Sequence, residues 1–372
     1  MNIYIRDSVK KLHAYVPGEQ PRDKTVVKLN TNENPYPPSP EVFKALSRIT
    51  PEDMRRYPDP ECNELRSQIA AMHGYKPENV FIGNGSDEIL SLCTAAFVEN
   101  TGSIAFFEPS YSLYEVLAAI RDVPCIRVEL NESFQWRCPE IKASLFFLAN
   151  PNAPTGIVYP KNEIAGFCRD FEGIIVIDEA YTDFAYDNCM DFPAEFENTI
   201  VARTMSKSYS LAGARLGYAV GPAPLIEALF KVKDSYNVNA LTQKIALAAL
   251  ADKEYHLEII AKIRASRERM SEQLLKKGFV VVPSGANFIW AKPVNGNAEK
   301  IFLQLRKQNV YVRYFKGKLT GEYLRITVGT NEQIDRFFEV LENISKNVSV
   351  HGSQLKKEKY GKHPRNPKNH EP

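Results

Sequence analysis

Ile174-Ile175-Val176-Ile177-Asp178-Glu179-Ala180-Tyr181 sets four aliphatic residues directly before two carboxylates and a tyrosine. A short, continuous apolar run of this kind reads as a strand covered on both faces, as in parallel sheets. A carboxylate directly behind it either sits exposed at the strand end or meets a cationic group. The same arrangement recurs nearby. Leu145-Phe146-Phe147-Leu148 runs into Asn150-Pro151-Asn152-Ala153-Pro154-Thr155-Gly156. Ile200-Val201-Ala202 runs into Thr204-Met205-Ser206-Lys207, and Arg215 follows eight residues after that lysine. Ligands of open α/β sheets bind at the carboxyl ends of the strands, so these four polar clusters predict one shared edge.

Working outward, strands are expected over 79–83, 103–107, 144–148, 174–177, 199–204 and 217–220, with helices over 88–97, 112–120 and 163–171 between them. This alternation predicts an α/β fold with a mostly parallel sheet. After Gly221-Pro222 the pattern changes. A helix over 225–234, a break at Asn237-Val238-Asn239 and one long helical run over 241–277 precede strands over 279–282, 287–290, 310–313 and 323–328. Helices over 298–308 and 333–346 complete a smaller α+β lobe. Toward the N-terminus, Pro and Asn crowd residues 10–39, which excludes helix there. A short helix opens at 40 or 41, and another over 64–73 stops at Gly74. The expected division is an arm at 1–40, a large domain at 41–235, a small domain at 236–347 and a disordered basic tail at 348–372.

The chain has 372 residues, 44% hydrophobic and 25% charged, ample to bury two cores. Its formal net charge is +2, and the tail's six basic and two acidic residues outweigh that total. Such a balance singles out neither a nucleic acid nor a membrane partner. No run approaches the roughly 18 apolar residues of a membrane span. Met1-Asn2-Ile3-Tyr4-Ile5-Arg6-Asp7 lacks the layout of a secretory signal, so a cytoplasmic setting is expected. Cysteines at 62, 93, 125, 138, 168 and 189 form neither a zinc knuckle nor a redox pair. Of six histidines, His351, His363 and His370 lie in the tail and His13, His73 and His256 have no motif around them, so no metal is expected.

A lysine able to form a Schiff base (Lys207), an acid for a pyridinium nitrogen (Asp178) and a Ser/Arg pair for a phosphate (Ser206, Arg215) match what pyridoxal phosphate demands. Further segments stand in order with these. They are Leu29-Asn30-Thr31-Asn32-Glu33-Asn34-Pro35, Arg56-Tyr57-Pro58-Asp59-Pro60, Gly83-Asn84-Gly85-Ser86-Asp87-Glu88, Glu108-Pro109-Ser110-Tyr111, Tyr236-Asn237-Val238-Asn239 and Leu324-Arg325-Ile326-Thr327-Val328-Gly329-Thr330. Across nearly the whole body the chain resembles the fold-type I pyridoxal-phosphate aminotransferases, and among them the histidinol-phosphate aminotransferases. It departs from them at Ala153, where the family commonly has Asn.

The resemblance implies a large domain with a mostly parallel seven-stranded sheet, a smaller α+β domain and pyridoxal 5'-phosphate as cofactor. It implies that Lys207 holds the cofactor and moves a proton. Asp178 keeps the ring nitrogen protonated, Tyr181 and Asn152 hydrogen-bond the ring's phenolic oxygen, and Tyr111 stacks on its face. Gly85, Ser86 and Asp87 open a helix whose N–H groups, with Ser206 and Arg215, meet the phosphate. Tyr57 reaches the neighbouring subunit's phosphate, so a homodimer with shared active sites is expected. Arg325, helped by Arg313 and Tyr15, takes the carboxylate of glutamate or the phosphate of an amino-alcohol substrate, and Asn152 and Tyr57 also border the substrate.

The implied reaction is L-histidinol phosphate plus 2-oxoglutarate giving imidazole-acetol phosphate and L-glutamate, in histidine biosynthesis. An aromatic or other phosphorylated-amine aminotransferase, or a threonine-phosphate decarboxylase, would keep every cofactor residue. The wording of Leu211-Ala212-Gly213-Ala214-Arg215 and of residues 324–330 favours the aminotransferase. A regulator with a fused DNA-binding module is disfavoured, because about 28 residues before Leu29 are too few for one.

Overall fold

The apolar runs become the middle of a seven-stranded sheet. The computed structural model describes residues 4–360 apart from 24, 138–139 and 295–296. In chain order its strands are β1 (Val27–Lys28), β2 (Val80–Gly83), β3 (Ile104–Glu108), β4 (Cys125–Glu129), β5 (Leu145–Ala149), β6 (Ile174–Asp178), β7 (Thr199–Thr204) and β8 (Gly217–Val220), then β9 (Phe279–Val282), β10 (Phe288–Pro293), β11 (Val310–Tyr311), β12 (Arg313–Tyr314) and β13 (Leu324–Thr327). The large sheet has the order β2-β8-β7-β6-β5-β3-β4. All neighbours from β4 to β7 are parallel, and only β8 runs against both of its partners. The predicted mostly parallel seven-stranded sheet is therefore present.

Strand alternation explains why these segments are apolar throughout. Phe146, Leu148, Ile175 and Ile177 point into one core with Ile164 and Phe167 of the helix Lys161–Asp170. Leu145, Phe147, Ala149 and Val176 point into the opposite core, with Ile89 of the helix Ser86–Phe97 and Tyr114 of the helix Leu113–Arg121. Both faces are covered, so neither tolerates polar residues before the strand ends. Truncating the fully buried Phe147 to Ala would cost about 3–5 kcal/mol.

A second sheet, β12-β13-β10-β9, is antiparallel, and the arm strand β1 pairs in parallel with β11. Four expectations need correction. Residues 10 and 11, expected outside any helix, end the short helix Asp7–Lys11. The long helical run is two helices, Ala240–Ala251 and Lys253–Lys276. Asp252 lies between them outside helical geometry, and its carboxylate caps the second helix at Tyr255 N, 3.3 Å away. The single strand over 310–313 is two short strands in different sheets, with buried Val312 at the switch. The last helix, Asn331–Tyr360, continues past residue 347, where disorder was expected. Gln354-Leu355-Lys356-Lys357-Glu358-Lys359 are good helix formers, and proline returns only at 364. The rest of that tail, 361–372, lies outside the described residues, as does Cys138. Strand β4 had no counterpart in the sequence reading. Among the described residues no helix is long and apolar enough to cross a membrane, and no acid, His and Cys cluster could hold a metal.

Candidate active site

Ala149, Asp178 and Ala202 stand in register across β5, β6 and β7. The loops leaving these strand ends border a cleft of about 380 Å³ between the two sheets and the arm. Lys207, Asp178, Tyr181, Ser206, Arg215, Ser86, Asp87 and Tyr111 line it from the large sheet, Arg313 and Arg325 from the small one, and Tyr15 from the arm.

Lys207 is half-buried. Its Nζ lies 3.5 Å from the Thr31 carbonyl and 5.7 Å from the Tyr181 ring centroid, with no ion-pair partner among the described residues. Asn34 fixes the backbone around it, donating to the carbonyls of Lys207 (2.9 Å) and Ser208 (3.2 Å). Asp178 is buried at the end of β6. Strand parity turns it to the same side as Val176, where the Tyr114 hydroxyl donates to Oδ2 (2.8 Å) and Ala180 N–H donates to Oδ1 (3.1 Å). Burial pushes its pKa up to about 6 against the pull of those two donors, and no cation among the described residues offsets it.

A cradle for an anion lies at the start of the helix Ser86–Phe97, where no side chain caps the first N–H groups. Arg215 donates to Ser206 Oγ (3.3 Å) and faces Asp87 (3.4 Å). Gly85 precedes the helix at φ +85°, and a Cβ there would stand 2.5 Å from Arg215 Nη2. Only glycine combines that backbone with that approach. A second anion receptor lies on the small sheet. Arg313 and Arg325 sit directly opposite each other in the β12–β13 register. Like charges so placed repel unless an anion joins them. Arg325 donates to the Asn30 carbonyl (3.1 Å), its Nε is buried with no hydrogen-bond partner among the described residues, and burial, with Arg313 adding to it, lowers its pKa. Arg313 donates to the arm carbonyls of Val16 (3.0 Å) and Pro17 (3.3 Å).

Two aromatic walls complete the cleft. The Tyr111 hydroxyl donates to Asp87 (3.2 Å), burial raises its pKa, and Tyr15 packs edge-on against its ring at 5.8 Å. Tyr181 packs edge-on against Phe288 at 5.0 Å and accepts from Asn32 Nδ2 at 3.0 Å.

Three expected site residues stand apart from the lining. Gly85 lies behind the helix start. Asn152 is buried, donates to the Pro109 carbonyl (3.1 Å) and Thr155 Oγ1 (3.0 Å), and accepts from Ser110 (3.0 Å). Tyr57 is 80% exposed, stacks on Tyr236 at 4.4 Å and borders a separate groove with Lys244. Two residues had no role in the sequence reading: Asn32, inside the Asn-rich motif, and Tyr114, one helical turn after Tyr111.

The donor set fits pyridoxal 5'-phosphate. A buried carboxylate without a cation suits a pyridinium N–H, an uncapped helix start with Ser206 and Arg215 suits a phosphate, and an ion-pair-free lysine suits an aldehyde. The sequence profile described as aminotransferase class I and II matches residues 24–341. The chain is 42% identical over 348 residues to the histidinol-phosphate aminotransferase 1 of Nostoc sp., covering 92% of this chain and 99% of that one. The fold is similar to the crystal structure of histidinol-phosphate aminotransferase from Sinorhizobium meliloti in complex with pyridoxal-5'-phosphate, with a TM-score of 0.83, 23% identity and coverage of 92% and 98%. It is also similar to L-threonine-O-3-phosphate decarboxylase from Porphyromonas gingivalis, with a TM-score of 0.75, 22% identity and coverage of 86% and 99%. These two structural likenesses speak to fold alone, whereas the profile spans most of the chain and takes in the lysine, the aspartate and both anion receptors: the chain belongs to the class I and II aminotransferase family.

Proposed function

We propose that the protein transfers the amino group of L-histidinol phosphate to 2-oxoglutarate, giving imidazole-acetol phosphate and L-glutamate, with pyridoxal 5'-phosphate as cofactor. One observation carries the reading. A single cleft holds a lysine with no ion-pair partner among the described residues, a buried acid and two separate arginine receptors, one on each sheet. Two receptors suit a phosphorylated cofactor together with a second anionic partner. The curated relative named above, alike over almost its whole length, supports the choice of substrate.

Pyridoxal phosphate supplies an electron-withdrawing ring that holds the electron pair of the broken Cα–H bond while the amino group changes owner. The chain's residues divide the remaining work. Lys207 would anchor the cofactor, and its neutral amine would take the proton from the substrate's α-carbon and deliver it to the cofactor's aldehyde-derived carbon, on the far side of the amino nitrogen. Asp178, whose charge Tyr114 and Ala180 stabilise in part against burial, would hold a proton on the ring nitrogen. Ser206, Arg215 and the N–H groups after Gly85 bind the cofactor's phosphate. Tyr111 covers the ring, and Tyr181 donates to its phenolic oxygen. Asn152 supports that wall through Ser110 and the Pro109 carbonyl. Arg325 and Arg313 take the phosphate of one substrate and the carboxylate of the other in turn, with Tyr15 closing from the arm. Tyr57, exposed on its own protomer, reaches the cleft of a second copy in a cytoplasmic homodimer.

Steady-state assays with histidinol phosphate, phenylalanine and threonine phosphate test the substrate. Turnover of histidinol phosphate is expected. Robust use of either alternative with none of histidinol phosphate would overturn the assignment.

A further inference from the structure

Asn32 is buried, sits at φ +56° and is bonded on every side. Asparagine is one of the few side-chain-bearing residues that tolerate this backbone. Its backbone N–H donates to Thr327 Oγ1 (3.0 Å), and Thr327 Oγ1 lies 3.0 Å from Asn32 Oδ1. The Asn32 carbonyl accepts from Asn287 Nδ2 (3.0 Å), and Asn32 Nδ2 lies 3.0 Å from the Tyr181 hydroxyl.

The polarity of this chain follows from its ends. A backbone N–H can only donate, so Thr327 Oγ1 accepts it and its own proton is left to give to Asn32 Oδ1. That contact orients the amide and turns Nδ2, which can only donate, toward Tyr181. Tyr181 must therefore accept from Asn32, and its own proton is left for another acceptor. Among the described residues no protein group takes that proton, and the ring borders the cleft beside Lys207. Thr327 shares a face of β13 with Arg325, two residues away, so the relay runs from the strand carrying the substrate's anion receptor to the cofactor's wall.

We propose that Asn32, oriented by Thr327, is a positioning residue that fixes Tyr181 as a hydrogen-bond donor toward the cofactor's phenolic oxygen. The proposal rests on the functional reading above. A donor at that oxygen stabilises the electron-rich form left when the lysine–cofactor linkage loses its proton, and so lowers the linkage pKa.

The experiment is a pH titration of the bound cofactor's absorbance. In Tyr181→Phe the donor is lost and the linkage pKa rises by about one unit or more. Asn32→Asp replaces a donor with a carboxylate that only accepts, captures the Tyr181 proton and produces a similar rise. In the Tyr181→Phe background Asn32→Asp adds nothing. Thr327→Val moves the pKa in the same direction, and Thr327→Ser keeps the wild-type value, which preserves the test if Asn32→Asp does not fold. A wild-type titration in both Asn32→Asp and Thr327→Val, beside a shifted Tyr181→Phe, would overturn the proposal. So would an Asn32→Asp shift that persists without the Tyr181 hydroxyl. Failure of the wild type to take up pyridoxal phosphate would sink the functional reading instead. In that case carbon-13 tyrosine labelling of the cofactor-free protein still decides. Tyr181 titrates at higher pH in Asn32→Asp if the relay holds, and unchanged titration overturns it.

Discussion

Asp178→Asn in the cofactor-free protein should remove a pH dependence of stability that can be worked from the structure. The carboxyl is buried without a cation, and its pKa is raised from 3.8 to about 6, chiefly by burial. The folded state therefore holds the proton more tightly than the unfolded state does. The stabilising effect of protonation is complete below about pH 4 and is lost as pH rises through about 6. A rise of roughly two units at 1.36 kcal/mol each makes the loss about 3 kcal/mol. An asparagine carries no such charge, and its carbonyl can still accept from Tyr114. Urea unfolding of both proteins between pH 3 and 8 cancels every other titration they share. Wild type should lose about 3 kcal/mol relative to the variant between pH 4 and 6, then run parallel to it. Saturating pyridoxal phosphate should shrink the wild-type loss, because a pyridinium N–H supplies the missing partner, and the variant should bind the cofactor more weakly. A wild-type minus variant difference that stays flat from pH 4 to 7 would refute the view of Asp178 as a buried charge awaiting a cation.

Lys207→Ala should abolish both transamination and the visible absorbance of the lysine-bound cofactor, and a spectrum and progress curves like those of wild type would remove Lys207 from the chemistry. Arg325→Gln should lower kcat/KM for histidinol phosphate and for glutamate by about 100-fold, the worth of one charge-assisted contact near 3 kcal/mol, while cofactor affinity measured by fluorescence stays within a few-fold. Tyr57→Phe should weaken cofactor binding although the ring is exposed on its own protomer, and sedimentation at micromolar concentration should show a dimer; a stable monomer with full activity would exclude a shared site.

Legibility in the sequence followed from how local each constraint is. The central strands could be read because residues such as 145–148 and 174–177 are covered on both faces, so their apolar runs are uninterrupted. The short edge strand β4, with its part-exposed residues, left no such trace. The break at Asp252 was missed because a side-chain cap between two helices needs neither glycine nor proline. The cleft residues were legible from strand-end placement and motif order. Their partners were not, because a hydrogen bond between residues such as 32 and 327 leaves no spacing to read.

By itself the sequence determined which segments must be buried, and that Lys207, Asp178, Ser206 and Arg215 would follow strands of one parallel sheet, because alternation and strand-end polarity are local consequences of the pleat. Tertiary structure alone decided that Arg313 lies opposite Arg325, that Tyr114 holds Asp178 and that Asn32 faces Tyr181. Those pairings depend on register between distant strands and on how an arm docks against two sheets. Both are settled by the packing of the whole chain, not by any stretch of it.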